Sequence, residues 1–211
     1  MSDFFEVFGL ERRLAVDEAA LQRRFYELSR RWHPDFHQAA SPEQQARALQ
    51  ESARVNAAYR ALRDPIARAE YLVRLEEGRA TSADRATGGE TLPGSPSNKE
   101  RPKAPPALLA EMFEIQEALQ EAKAGPLDAA ARASLAEQRD ALKGRLAATE
   151  AQLVGPLSRA WDASAVAERP AALDALKAAL ATRAYLRTVI DDLADALGEG
   201  SEEAHAANRR H

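Results

Sequence analysis

The chain contains no cysteine. That excludes disulfides, thiolate-ligated clusters and cysteine-bearing zinc sites. Aromatic residues make up only 6% of it, and aromatic and β-branched residues supply most of the preference for strands. Alanine, the best helix former, is abundant instead. No apolar run reaches the length of a membrane-spanning helix. The net charge of -4 lends nothing to nucleic-acid binding, which calls for a basic surface. What is present is ordinary for a soluble globular protein: 45% hydrophobic and 29% charged residues over 211 positions, enough to build a core in one or two domains. The expected class is all-α, with no internal repeat and no convincing strand. Met1 to Leu10 reads as folded structure rather than a signal or transit peptide, so a cytoplasmic location is expected.

The periodicity divides the chain. Gly78 to Pro106 is dominated by Gly, Pro, Ser and charge, and apolar spacing vanishes there, as in a flexible linker. It separates an N-terminal block, residues 1–77, from a C-terminal block, residues 107–198. A tail at 199–211 is expected to be disordered. In the first block, Phe4, Phe5, Val7, Phe8 and Leu10 predict a short helix ending near Gly9. Asp17 suits the cap of a second helix, whose Leu21, Phe25, Leu28 and Trp32 form one apolar stripe. Ser41-Pro42-Glu43 starts a third, expected to bury Leu49, Ser52, Val55, Tyr59 and Leu62. A fourth runs from Asp64-Pro65 to Glu77. The second block reads as an antiparallel three-helix bundle. Its long middle stretch, Asp128 to about Ala167, should kink or break at Gly155-Pro156, and Pro170 starts its last helix.

Between the second and third helices stands His33-Pro34-Asp35. On typical residue usage such a tripeptide arises by chance in roughly one chain in a hundred of this length, so its setting carries the signal. Pro34 biases His33 away from the helical region. The expected result is an exposed loop tip carrying an imidazole and a carboxylate. Beside it, the outer face of the second helix carries Arg23, Tyr26 and Arg30, flanked by Arg24 and Arg31. Such a face steers an acidic partner, and Asp35 suits a charge-assisted pair with an arginine of that partner. Idle solvated arginines are the plain alternative. His33, Asp35 and His37 also admit reading as a metal cluster, against which stand the intervening proline and the lack of further nearby ligands. A catalytic His–Asp pair would need a nucleophile, and none is marked.

The segments FFEVFGL, LQRRFYELSRRWHPD, VNAAYRALRDP and RAEYL resemble a J domain. The chain opens directly with the Phe-Gly-Leu start, and RAEYLVRL follows the third helix with no Gly/Phe-rich region. PPALLAEMFEIQEAL and ATRAYLRTVIDDL come later. Together these resemble the J-domain co-chaperones of iron–sulfur cluster assembly, the HscB type. The likeness is strong over residues 2–77 and weaker over 105–197. Gly78 to Pro106 is longer and richer in Pro and Gly than the family's usual connection. The resemblance implies no enzyme activity and no cofactor. It implies a DnaK-type chaperone ATPase as partner, HscA in this family, stimulated allosterically by contact with the tripeptide.

A second surface is expected on the first bundle helix. Leu108, Met112, Ile115 and Leu119 form its core stripe, while Leu109 and Phe113 lie about 120° around the helix. Large apolar side chains off the core face mark either a binding patch or a wider core. The resemblance favours binding. Carried position by position, Leu109, Phe113 and Tyr185 match residues that contact the IscU-type cluster scaffold, whereas Ala110 stands where relatives often carry a larger apolar residue. Three other readings stay open at this point: a general J protein of DnaK with another client, a metal-dependent enzyme built on His33, Asp35 and His37, and a purely structural helical protein.

Overall fold

Asp3 sets the first turn of the chain. Its carboxylate accepts the N–H groups of Phe5 and Glu6 at 2.9 and 3.0 Å, and Glu6 returns the bond to the Asp3 N–H, closing a capping box. The resulting helix α1, Phe4–Val7, is short. It stops where Gly9 takes a φ of 64°, a conformation glycine adopts without penalty, and the Leu10 N–H turns back to the Phe5 carbonyl at 2.9 Å.

The computed structural model describes residues 3–84, 115, 117, 120 and 128–199, with the backbone alone given for 79–84. These residues are helical or in turns, with no strand among them. After α1 come α2 (Glu18–Arg31), a 3₁₀ turn (Pro34–His37), α3 (Pro42–Arg63) and α4 (Pro65–Asp84). Residues 115, 117 and 120 are helical, and α5 spans Ala129–Gln152. A π-helical segment, Leu153–Leu157, leads into α6 (Ser158–Ala163), and α7 spans Arg169–Leu197. Asp17 caps α2 by accepting from the Ala20 N–H, and Ser41 with Gln44 forms a capping box at α3, as their residue types predict.

The chain forms two compact units. The first comprises Met1–Glu90 and Leu153–Leu176, the second Thr91–Gln152 and Lys177–His211. In the first, α2 and α3 pair as a helical hairpin, flanked by α1 and α4, which both pack on α3. Its core includes Phe5, Leu21, Val55, Leu62 and Leu72, each nearly inaccessible. Two departures from the sequence pattern appear here. Leu49, expected inside, is 57% exposed, because the buried stripe of α3 runs through Ala48, Val55, Ala58 and Leu62. Small alanines at the contact points permit close helix approach, and a count that favours Leu over Ala misses that phase. Phe25, Leu28 and Trp32 are half-buried rather than fully enclosed; Phe25 is covered by the Tyr59 ring, stacked at 4.0 Å.

The RAEYL run fastens the N-terminal segment to α4. Tyr71 stacks on Phe4 at 4.6 Å, and its hydroxyl accepts the Phe4 N–H at 2.8 Å. Burial pushes the Tyr71 hydroxyl pKa up, partly offset by that bond. Arg68 is buried and donates to the Leu14 carbonyl at 2.9 Å. Burial draws its pKa below the ordinary arginine value, while Glu18, Asp64 and Asp162 pull it back up. The adjoining amides of Leu14 and Ala15 both donate to Asp162 of α6 at 2.8 Å. The residues from Leu153 to Leu176, assigned by sequence to the 107–198 bundle, thus belong with the first unit. Helix periodicity says which face is apolar, not which neighbour covers it.

The expected break at Gly155-Pro156 takes the form of a π turn. Pro156 has no N–H to offer the helix ladder, and the helix widens locally around it. The Ser158 hydroxyl donates to the Leu153 carbonyl within this turn. In the second unit, Ile115, Leu135, Leu142, Leu186, Val189, Ile190 and Leu193 share a core with Tyr185. Arg183 donates to Glu150 at 2.8 Å, and Arg139 forms an ion pair with Glu199. Helix α4 continues through Asp84, past the expected boundary at 77. The remainder of the 78–106 segment, most of the first bundle helix and the tail beyond Glu199 lie outside the described residues.

Asp162→Ala leaves the Leu14 and Ala15 amides without their acceptor. We expect a loss of about 1–3 kcal/mol in folding stability, read as a lower urea midpoint with an unchanged slope.

Candidate functional site

Trp32 closes α2, its N–H bonding the Leu28 carbonyl at 3.0 Å. His33 then takes the extended backbone conformation, φ -66° and ψ 129°, which a following proline enforces. Pro34 opens the 3₁₀ turn. The His33 ring caps this turn: its Nδ1 accepts the Asp35 N–H at 3.3 Å, and the His33 carbonyl accepts the Phe36 N–H at 3.1 Å. A neutral ring that accepts at Nδ1 carries its proton on Nε2.

Asp35 is therefore held by its backbone and left open at its carboxylate. Its side chain is 72% exposed, and its Oδ2 lies 3.6 Å from His33 Nδ1, too far for a hydrogen bond. Its other oxygen makes a long contact with Gln38 Nε2 at 3.5 Å. Phe36 is 68% exposed and meets the His33 ring edge-on at 6.0 Å. His37 turns away from the tripeptide. Its Nε2 bonds the Arg31 carbonyl at 3.0 Å and its ring stacks on Trp32 at 6.2 Å. Among the described residues, no three His, Cys, Asp or Glu side chains are grouped to hold a metal ion, so His33, Asp35 and His37 do not form a ligand set.

The face beside this loop is as expected from the helix period. Arg23, Arg24, Tyr26, Arg30 and Arg31 of α2 are all exposed. The Tyr26 hydroxyl lies 3.3 Å from Gln22 Nε2, and its ring meets that of Phe25 at 5.7 Å. Arg24 faces Glu27 at 3.6 Å with both side chains in water, a pairing worth little. Arg31 swings over the Trp32 ring, its guanidinium carbon 5.1 Å from the centroid. Arg47 of α3 comes to 5.8 Å from the same ring. Sequence reasoning missed Arg47, since it is one of many exposed polar positions early in α3 and nothing in the spacing ties it to the loop. The indole, half-buried at the base of the loop, thus gathers two cations beside the tripeptide.

The second expected surface is described only in part. Leu109, Ala110 and Phe113 lie outside the described residues. Tyr185 is 6% exposed and packs in the bundle core with Ile115. It offers a partner little surface in this arrangement, and its visible work is packing.

Residues 3–71 match the DnaJ domain family. The chain carries a J domain. Its exposed His33-Pro34-Asp35 loop, the helical hairpin that carries it, α1 and the start of α4 lie within that match. Chaperone HscB from Vibrio cholerae is similar over 91% of this chain and 99% of its own, at 26% identity and a TM-score of 0.50. Human co-chaperone protein HscB shares the fold over 92% of this chain and 81% of its own, at 23% identity and a TM-score of 0.54. Beyond its J domain, the chain is thus similar to an HscB-type co-chaperone over most of its length. No helix among the described residues is long and apolar enough to cross a membrane.

The Arg47–Trp32 contact is testable by itself. A double-mutant cycle with Arg47→Ala and Trp32→Leu should give a coupling of about 0.5–1 kcal/mol in unfolding free energy, and additive effects would remove the contact from the account.

Proposed function

We propose that this J-domain protein is an adaptor of iron–sulfur cluster assembly. Its bundle holds an IscU-type scaffold protein, and its J domain presents that scaffold to a DnaK-type chaperone of the HscA kind. The observation that carries the chaperone half is the open carboxylate of Asp35 beside the exposed arginine face. Long-range attraction brings an acidic patch of the ATPase to Arg23, Arg24, Arg30 and Arg31. Tyr26 and the tripeptide then make the short-range contacts, with Asp35 accepting a charge-assisted pair from an arginine of the chaperone. Docking favours the chaperone state that hydrolyses ATP, which is a coupling between sites rather than a chemical step on this chain.

The scaffold half rests on the likeness to Vibrio cholerae HscB over nearly the full length of both chains and on the resemblance of Leu109, Phe113 and Tyr185 to the family's scaffold contacts. Leu109 and Phe113 supply the contact surface in this reading. Tyr185 is packed in the bundle core and contributes by holding that core. Joining the two ends raises the scaffold's effective concentration at the chaperone. A cytoplasmic setting belongs to the same proposal.

His33→Gln should leave helicity unchanged and abolish stimulation of the chaperone ATPase; full stimulation by that variant would reject the docking role. The arginine face adds a salt dependence, so the chain concentration needed for half-maximal stimulation rises with ionic strength.

Leu109→Ala combined with Phe113→Ala should weaken scaffold binding at least about tenfold in a calorimetric titration. Chaperone stimulation by the variant without scaffold should stay at the wild-type level. Unchanged scaffold affinity would leave a J-domain co-chaperone serving some other client.

A further inference from the structure

We propose that Gln45 is a positioning residue for chaperone stimulation, acting through the loop that carries Asp35. The inference rests on the docking role proposed for the tripeptide. The 3₁₀ turn that presents Asp35 is only four residues long, and turns of this kind have poorer hydrogen-bond geometry than an α-helix. Its pose must therefore be fixed from outside, where the chain enters and where it leaves.

The entrance is fixed by His37, whose Nε2 bonds the last α2 carbonyl, that of Arg31, at 3.0 Å while the ring lies on Trp32. The exit is fixed by Gln45. Its Nε2 donates to the Gln38 and the Ala40 carbonyls, both at 3.0 Å. Both hydrogens of one amide group thus serve the backbone that follows the turn. Gln45 itself is held, because it stands in the first turn of α3 and its N–H bonds the Ser41 carbonyl at 2.9 Å. The Ser41–Gln44 capping box secures that same turn. The backbone on either side of the tripeptide is thereby tied to a helix.

The chemistry asked of position 45 is two donors at the end of a side chain of this length. Glu keeps the shape and reverses the chemistry, since a carboxylate only accepts and would face two carbonyl oxygens. Ala removes the group. Arg supplies donors without an acceptor.

The test uses the full-length chain with a DnaK-type chaperone in a steady-state ATPase assay. Gln45→Ala and Gln45→Glu should raise the concentration for half-maximal stimulation about fivefold, through a loosened loop. Helicity and unfolding temperature should stay close to wild type, and Gln45→Arg should restore most of the potency. Wild-type potency in the Ala and Glu variants would overturn the proposal. So would a loss that merely follows the unfolded fraction, or an Arg variant no better than Ala. A pure charge effect is separated by the Ala variant, which would then match wild type. If the wild-type chain fails to stimulate a chaperone that responds to another J-domain protein, the docking role falls, and the positioning role with it.

Discussion

Helix α2 cannot continue past Trp32, because Pro34 forbids the helical conformation to the residue before it. The site depends on that stop. The chain must turn, the His33 ring is free to cap the turn through Nδ1, and the Asp35 amide is consumed by the cap. The Asp35 carboxylate is then left with no strong partner among the described residues. A proline therefore does more than interrupt a helix: it converts a residue pair into a bracket capped by an imidazole acceptor, with a projecting anion.

The surroundings of that bracket divide between exposed charge and support. The arginines of α2 are exposed and weakly paired, the condition in which charge steers an encounter rather than stabilises a fold. Trp32, Arg31, Arg47 and His37 form a stack beneath the loop, and Gln45 closes its far side. On the other side of the first unit, the conspicuous Phe-rich start and the RAEYL run have no evident part in recognition. Their bonds are structural: the Tyr71 hydroxyl holds the Phe4 amide, and Arg68 donates to the Leu14 carbonyl.

Much of this was legible in the residues. The all-α class followed from composition, the hairpin from stripes at three- and four-residue spacing, the caps from Asp17 and Ser41, and the exposed loop from Pro34. Spacing was less able to say which helix covers which face. It put Leu49 inside α3, where Ala48 holds the buried position. It gave Leu153 to Leu176 to the bundle, although Asp162 bonds the Leu14 and Ala15 amides. Contacts between residues so far apart in sequence leave no trace in local periodicity. The polar bonds of Gln45, His37 and Arg47 were equally hidden, because a solvated-looking polar residue near a helix start carries no mark of what its side chain reaches.

The bonds from Leu14 and Ala15 to Asp162 also bear on how this protein is made. Synthesis runs from the N-terminus, and domains ordinarily fold as they emerge. Here the hairpin and its flanking helices leave the ribosome well before α6 exists. During that interval the two amides must rely on water, and the flank of the first unit later packed by Leu153, Trp161 and Leu176 stays uncovered. Closing so long a loop is slow relative to forming the local hairpin. The nascent chain thus displays its exposed tripeptide before its N-terminal unit is complete.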